Sequence, residues 1–142
     1  MAKDDIPLGK LLLQGSRESC ARVVGRLRAR GHEVRFAHSA LITNLDESGT
    51  RLTVLAERAE MSKQGMGTLA KELEASGYIE RESDPTDARA VLIKPTPRGR
   101  DLMRDMTQEM AHIEDQVRDL LGEDDMITMR RCLNALLLST RK

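Results

Sequence analysis

The stretch Leu52-Thr53-Val54-Leu55-Ala56-Glu57-Arg58-Ala59-Glu60-Met61-Ser62-Lys63-Gln64-Gly65-Met66-Gly67-Thr68-Leu69-Ala70-Lys71-Glu72-Leu73 decides the fold. Leu52, Leu55, Ala56 and Ala59 recur at helical spacing and predict a short helix, with Thr50 or Thr53 as its N-cap. Glu60-Met61 makes a brief turn. Ser62 is placed to cap a second helix, which turns Met66, Leu69, Ala70 and Leu73 to one side and stops at Gly77. Two short helices joined by so tight a turn form a helix-turn-helix.

Downstream, Tyr78-Ile79-Glu80-Arg81-Glu82 and Val91-Leu92-Ile93-Lys94 are β-leaning runs. Residues 83–90, Ser-Asp-Pro-Thr-Asp-Ala-Arg-Ala, are rich in turn formers and predict a hairpin with a long tip, a wing. Past Pro95 and Pro97, Leu102, Met103, Met106, Met110, Ile113, Val117, Leu120 and Leu121 mark a long helix from Arg98 to about Leu121, broken by Gly122. A last helix carries Met126, Ile127, Met129, Leu133, Leu136 and Leu137. Upstream, Leu8, Leu11, Leu12, Val23, Val24 and Leu27 predict a helix ended by Gly31, with Arg22, Arg26 and Arg30 on another face. Val34, Ala37, Leu41 and Leu45 predict a further helix from about Glu33 to Leu45, followed by a loop through Thr50.

The fold class is therefore mainly α with a small β-hairpin wing. The chain of 142 residues suits one domain, 1–142. Phe36 and Tyr78 are its only aromatics, so the core must come from aliphatic and Met side chains, which suits helix packing. No apolar run approaches the ~20 residues that span a bilayer, and no signal-type segment follows Met1, so a cytoplasmic location is expected. Cys20 and Cys132 are too few and too far apart for a disulfide framework. Net charge is zero, from 23 basic and 23 acidic residues, which is the main objection to a nucleic-acid-binding role, since such proteins often carry a basic balance. Residues 1–35 lean basic and residues 101–142 acidic.

Several segments resemble the MarR family of bacterial regulators. They are Leu55-Ala56-Glu57-Arg58-Ala59, Met61-Ser62-Lys63-Gln64, Leu69 to Gly77, Tyr78-Ile79-Glu80-Arg81, Asp84-Pro85-Thr86-Asp87-Ala88-Arg89-Ala90 and Thr96-Pro97-Arg98-Gly99. The resemblance covers about 50 residues in order, and the wing signature is its most specific part. It implies a winged helix-turn-helix lobe at 33–97, flanked by dimerisation helices at 1–32 and 98–142. It also implies a homodimer on a pseudo-palindromic operator in double-stranded DNA, usually as a repressor and usually released by a small-molecule effector. The stripes with Leu11, Leu12, Leu133, Leu136 and Leu137 fit a dimer, though the two helices could instead pack within one chain.

With Met66, Leu69, Ala70 and Leu73 inward, Gln64, Thr68 and Lys71 point outward and Gly65 and Gly67 lie on the flanks. Gln64 suits an adenine edge and Thr68 a thymine methyl or a phosphate. Lys63 and Lys71 suit phosphates, next to the capping Ser62. The glycines depart from the commoner family pattern. They either let bare backbone sit deep in the groove or serve close helix packing. The resemblance assigns Arg89 to the minor groove, with Asp87 holding its guanidinium, and an ordinary surface pair is the alternative. Arg81, Lys94, Arg98 and Arg100 are weaker candidates for backbone contacts.

Other chemistries find less support. Cys20 lies where peroxide-sensing relatives carry a thiol, but the tyrosines that activate it there are missing. His38 and His112 fall where zinc-responsive relatives place ligands, and His32, Glu109 and Cys20 could join them. No His-x-x-x-His or Cys-x-x-Cys spacing supports a metal, and no motif asks for a cofactor. An enzyme would need a phosphate loop, an activated nucleophile or a carboxylate pair, and none is present. A winged helix that binds protein instead of DNA is the remaining alternative.

Overall fold

The computed structural model describes residues 5–141. Six helices surround a three-stranded antiparallel sheet: α1 (Leu8–Ala29), α2 (Ser39–Ile42), β1 (Thr50–Arg51), α3 (Leu52–Arg58), α4 (Lys63–Ala75), β2 (Ile79–Asp84), β3 (Asp87–Pro95), α5 (Pro97–Leu121) and α6 (Glu123–Ser139). The strand order is β1-β3-β2. The expected fold class, mainly α with a hairpin wing, is the one observed.

Local chemistry sets most boundaries. Gly31 (φ +92°) and Gly77 (φ +80°) end α1 and α4 in the left-handed region that a side chain disfavours. The following amides close each end: His32 N donates to Leu27 O, and Tyr78 N to Leu73 O. Ser62 Oγ accepts from Gly65 N at 3.0 Å, the cap expected for α4. Thr96 caps α5 by accepting from Gly99 N, donates its own hydroxyl to Gly77 O, and precedes Pro97 in the first turn. Gly99 is required sterically, because a Cβ there would lie 1.9 Å from the Tyr78 carbonyl oxygen. The Thr-Pro-x-Gly run is thus a clasp between the root of the wing and the long helix.

Three expectations need correction. The helix expected over residues 33–45 is only a 3-10 turn, Phe36–His38, running into α2. Residues 33–35 are extended because tertiary partners satisfy them: Glu33 N donates to the Tyr78 hydroxyl, Arg28 Nε to Val34 O, and Arg35 N to His38 Nδ1. Val34 and Leu45 are buried nonetheless, outside any helix. Secondly, neither Thr50 nor Thr53 caps α3. Arg51 occupies the cap position with no side-chain bond, while Thr50 pairs with Ile93 in β1 and its hydroxyl accepts from Asp46 N. Thirdly, the wing turns in only two residues, Pro85 and Thr86, with Asp84 opposite Asp87.

The core is continuous from the helix-turn-helix into the first half of α5. Leu27, Leu41, Leu55, Met66, Leu73, Tyr78, Ile79, Ile93 and Leu102 are all fully buried there. The far half of α5 and all of α6 are different. Leu120 is 82% exposed, Leu137 58% exposed, and only Met126 of α6 is buried.

Candidate nucleic-acid interface

Helix α4 divides its side chains as its sequence period demands. Met66, Leu69, Ala70 and Leu73 are buried, while Ser62, Lys63, Gln64, Thr68 and Lys71 are exposed. Gly65 and Gly67 lie between the two faces. A Cβ on Gly67 would meet only Leu52 Cδ2, at 4.0 Å, so close packing does not explain that glycine. A Cβ on Gly65 would crowd the capping hydroxyl of Ser62 at 3.1 Å. Thr68 donates its hydroxyl to Gln64 O within the helix, which leaves its methyl and oxygen lone pairs outward.

The wing's geometry was only partly legible. The register jumps between Ser83, opposite Val91, and Asp84, opposite Asp87, so Ala88, Arg89 and Ala90 bulge out of the ladder. Arg89 stands at the middle of this bulge, exposed. Asp87 does not hold its guanidinium; instead the Asp87 carboxylate accepts from the Arg89 backbone N at 3.0 Å. The expected side-chain pair is therefore a backbone contact, which shapes the bulge and leaves the guanidinium free.

The ion pair that does organise the wing lies elsewhere. Asp84 accepts from Thr86 N and Oγ1, closing a local turn, and from Arg51 Nε at 2.6 Å. Arg51 also donates to Thr86 Oγ1. Hydrogen bonds from Thr86, then from Arg51, pull the Asp84 carboxyl down to about 2. The Asp-x-Thr turn is a local signal. Its partner 33 residues upstream has none.

Cations in this lobe fall into two groups. Arg81 is bound to Glu74, Lys94 to Glu82, and Arg98 to the Ser76 carbonyl while stacking 4.3 Å above the Tyr78 ring. Those three are engaged inside the molecule, unlike the backbone-contact role expected of them. Lys63, Lys71 and Arg89 carry no ion pair among the described residues, and neither does Arg100. Within a chain of zero net charge, α4 and the wing thus carry Lys63, Lys71 and Arg89 without ion pairs among the described residues.

The histidines are separated rather than convergent. His38 is buried against Glu72 of α4, whereas His32 binds Asp105 of α5 through Nε2 at 2.8 Å and faces the Tyr78 hydroxyl through Nδ1. Glu109 holds Arg26 and Arg30 of α1. No cluster of three or more His, Cys, Asp or Glu suited to a metal occurs among the described residues. The α1 arginines thus bind two buried carboxylates of α5. The hydrogen bond from His32 holds the Asp105 carboxyl below its ordinary range, and that from Arg26 does the same for Glu109.

Cys20 and Phe36 line a cavity of about 600 Å³ between α1, α2, α5 and α6. Its wall is aliphatic and Met-rich, with Val23, Met106, Met110 and Met126, while Ser39 and Arg130 are among the polar groups at its edge. No helix among the described residues is long and apolar enough to cross a membrane.

A helix-turn-helix with a capped, polar-faced second helix and a bulged wing defines the winged-helix class. Residues 33–90 match the model of the MarR family. The whole chain resembles solved structures. A MepR–DNA complex from S. aureus is 20% identical over 95% of this chain and 99% of that one, with a TM-score of 0.81. A MarR-family transcriptional regulator from Rhodococcus sp. RHA1 is 22% identical over 96% and 94%, TM-score 0.75. A MarR regulator from Methanosarcina mazei Go1 is 15% identical over 94% and 95%, TM-score 0.81. No curated protein matches the chain in sequence. Over residues 33–90 the chain thus matches the MarR family, and over nearly its whole length it shares the fold of these solved regulators.

Proposed function

We propose that this protein is a sequence-specific DNA-binding transcriptional regulator, a repressor acting as a homodimer and released by a small-molecule effector. The observation that carries the reading is α4. Its apolar side is fully used by the core, and its free face presents Ser62, Lys63, Gln64, Thr68 and Lys71, while the wing exposes Arg89, which has no ion-pair partner among the described residues. An exposed helix with an amide side chain, a methyl and unpaired ammonium groups matches base edges and phosphates. The S. aureus MepR fold, solved with DNA, supports the same use of the module.

Dimerisation is supported by α1 and α6. Leu8, Leu11 and Leu13 of α1, and Ile127, Leu136, Leu137 and Leu138 of α6, are exposed large apolar side chains. Contiguous apolar surface of this kind requires cover, and a second copy supplies it with two-fold symmetry. Under this reading α1, α5 and α6 join the subunits, while residues 33–97 bind one half-site each. The cavity is the effector site, and its aliphatic wall favours a non-planar apolar ligand over one that stacks on rings.

Selection of bound duplexes from a random-sequence pool tests the reading, followed by affinity measurement against salt. We expect a pseudo-palindromic site. With about four to six phosphates neutralised per dimer, log K should fall against log salt with a slope of about −4 to −5. A flat salt response with no enriched sequence would favour a protein partner on the same face.

A further inference from the structure

The segment linking α1 to α2 serves two surfaces at once. Phe36 and Ser39 line the cavity beside Cys20 of α1 and Met106 of α5. Arg35 and His38, their immediate neighbours, grip α4 instead. Arg35 donates to Glu72 through Nε at 3.1 Å and Nη2 at 2.8 Å, and His38 Nε2 meets the same carboxylate at 2.7 Å. Arg35 is the extended N-cap of the 3-10 turn and His38 its last residue, while Phe36 opens that turn and Ser39 opens α2, so the two sets alternate along five consecutive residues.

Glu72 matters because of its place on α4. It follows Gln64 and Thr68 at four-residue steps, along one edge of the helix. The His38 ring is buried and its Nδ1 accepts from Arg35 N, so Nε2 carries the proton and donates to Glu72. Hydrogen bonds from His38, then Arg35, hold the Glu72 carboxyl below the usual range. The turn therefore cannot move without pulling on the edge of α4 that bears Gln64 and Thr68.

We propose that the Arg35–His38–Glu72 clamp links the cavity to α4: a molecule pressing on Phe36 and Ser39 shifts the turn, and the clamp carries that shift to the DNA-reading edge. The three are positioning residues, and the proposal rests on α4 reading DNA. It also limits the effector. Only a ligand that contacts the Phe36–Ser39 wall differently in the two placements of the turn can regulate, however tightly it binds elsewhere in the cavity.

The test uses Cys20 as a handle in a Cys132→Ser background. N-cyclohexylmaleimide adds the Cys20 thiol across its double bond and places an aliphatic ring in the cavity. With Glu72 present, alkylation should weaken binding to a selected duplex by about 5- to 150-fold, the usual range for coupled sites. In a Glu72→Ala background the same alkylation should change affinity less than about twofold, since coupled residues are not additive. Amide exchange over residues 68–75 should rise on alkylation only when Glu72 is present. Alkylation that alters neither affinity nor exchange overturns the clamp, as does an equal change in both backgrounds. If no duplex is selected at all, the DNA reading fails by itself, and the exchange comparison still decides the clamp.

Discussion

Helices α4 and α6 have similar lengths, 13 and 17 residues, and both are amphipathic, yet they leave opposite faces to the solvent. In α4 the apolar face is finished inside the chain, and what remains outside is polar and partly cationic. In α6 only Met126 is buried, while Ile127, Leu136 and Leu137 stand outside. The first helix lacks a polar partner, the second an apolar one. Burying a leucine is worth about 1.5–3 kcal/mol, so the bare face of α6 would gain from cover by a second copy under the proposed function. The free face of α4 gains little from apolar contact and suits polar recognition. Under that proposal one chain separates an assembly surface from a reading surface by which side of each helix the core consumes.

The largest effect should come from spoiling the bare face. Leu136 is 45% exposed and lies outside the cavity wall. Leu136→Glu should turn a dimer into a monomer in sedimentation, with helical content unchanged. Duplex affinity should fall by at least about 100-fold, because the second half-site loses the effective concentration that linkage supplies. A variant that stays dimeric would break the contrast between the two helices.

Next in size is Arg89→Ala. Its guanidinium has no ion-pair partner among the described residues, so stability should not change measurably. A charge-assisted contact is worth about 1.5–3 kcal/mol, which predicts a loss of roughly 10- to 100-fold in anisotropy titrations at fixed salt. If wing and helix read separate grooves, as proposed, the effect should be additive with Gln64→Ala. Unchanged affinity would confine reading to α4.

The contrast also explains what was legible. Helix α4 could be read because its signals are local: Ser62 at the start, Gly77 at the end, and Met66, Leu69, Ala70 and Leu73 between. The exposure of α6 could be suspected from Leu133, Leu136 and Leu137, which line one side of the helix. Residues 33–45 misled because Val34, Ala37, Leu41 and Leu45 keep a helical period. The backbone there instead bonds to side chains, and the one at Glu33 is the Tyr78 hydroxyl, 45 residues away and outside any local window. The wing was located by its Asp-Pro-Thr turn, but its bulge depends on a register jump between strands. Arg51, 33 residues from Asp84, leaves no trace in a pattern of hydrophobic spacing. The clamp on Glu72 is of the same kind.

Acid sharpens the comparison, because the perturbed carboxylates are distributed unevenly. Glu72, Glu74 and Asp84 brace the winged lobe, Asp105 and Glu109 join α1 to α5, and among the described residues α6 has none. All five are held below their ordinary values in the folded state. The unfolded chain therefore binds more protons in the interval below pH ~4.5, so stability falls as pH drops. Urea unfolding should give constant stability from pH 7 to 5, then a decline continuing to about pH 2, where Asp84 protonates. Asp84→Asn should flatten the lowest part of that curve. A decline beginning above pH 6 would place the sensitivity outside these carboxylates.

The smallest expected effect tests the reading face most finely. Glycine within a helix costs about 1 kcal/mol relative to alanine, and a Cβ on Gly67 meets nothing closer than Leu52 Cδ2 at 4.0 Å. Gly67→Ala should therefore raise the thermal midpoint by about 2–4 °C. If the glycine persists because bare backbone approaches the duplex, the same substitution should weaken binding severalfold, so stability and affinity move in opposite directions. Gly65→Ala is a weaker probe, since its Cβ would crowd the Ser62 cap and confound the two. Should Gly67→Ala gain stability and keep full affinity, the helix would be touching DNA through side-chain tips alone, and Gln64 and Thr68 would have to account for recognition without help from the backbone.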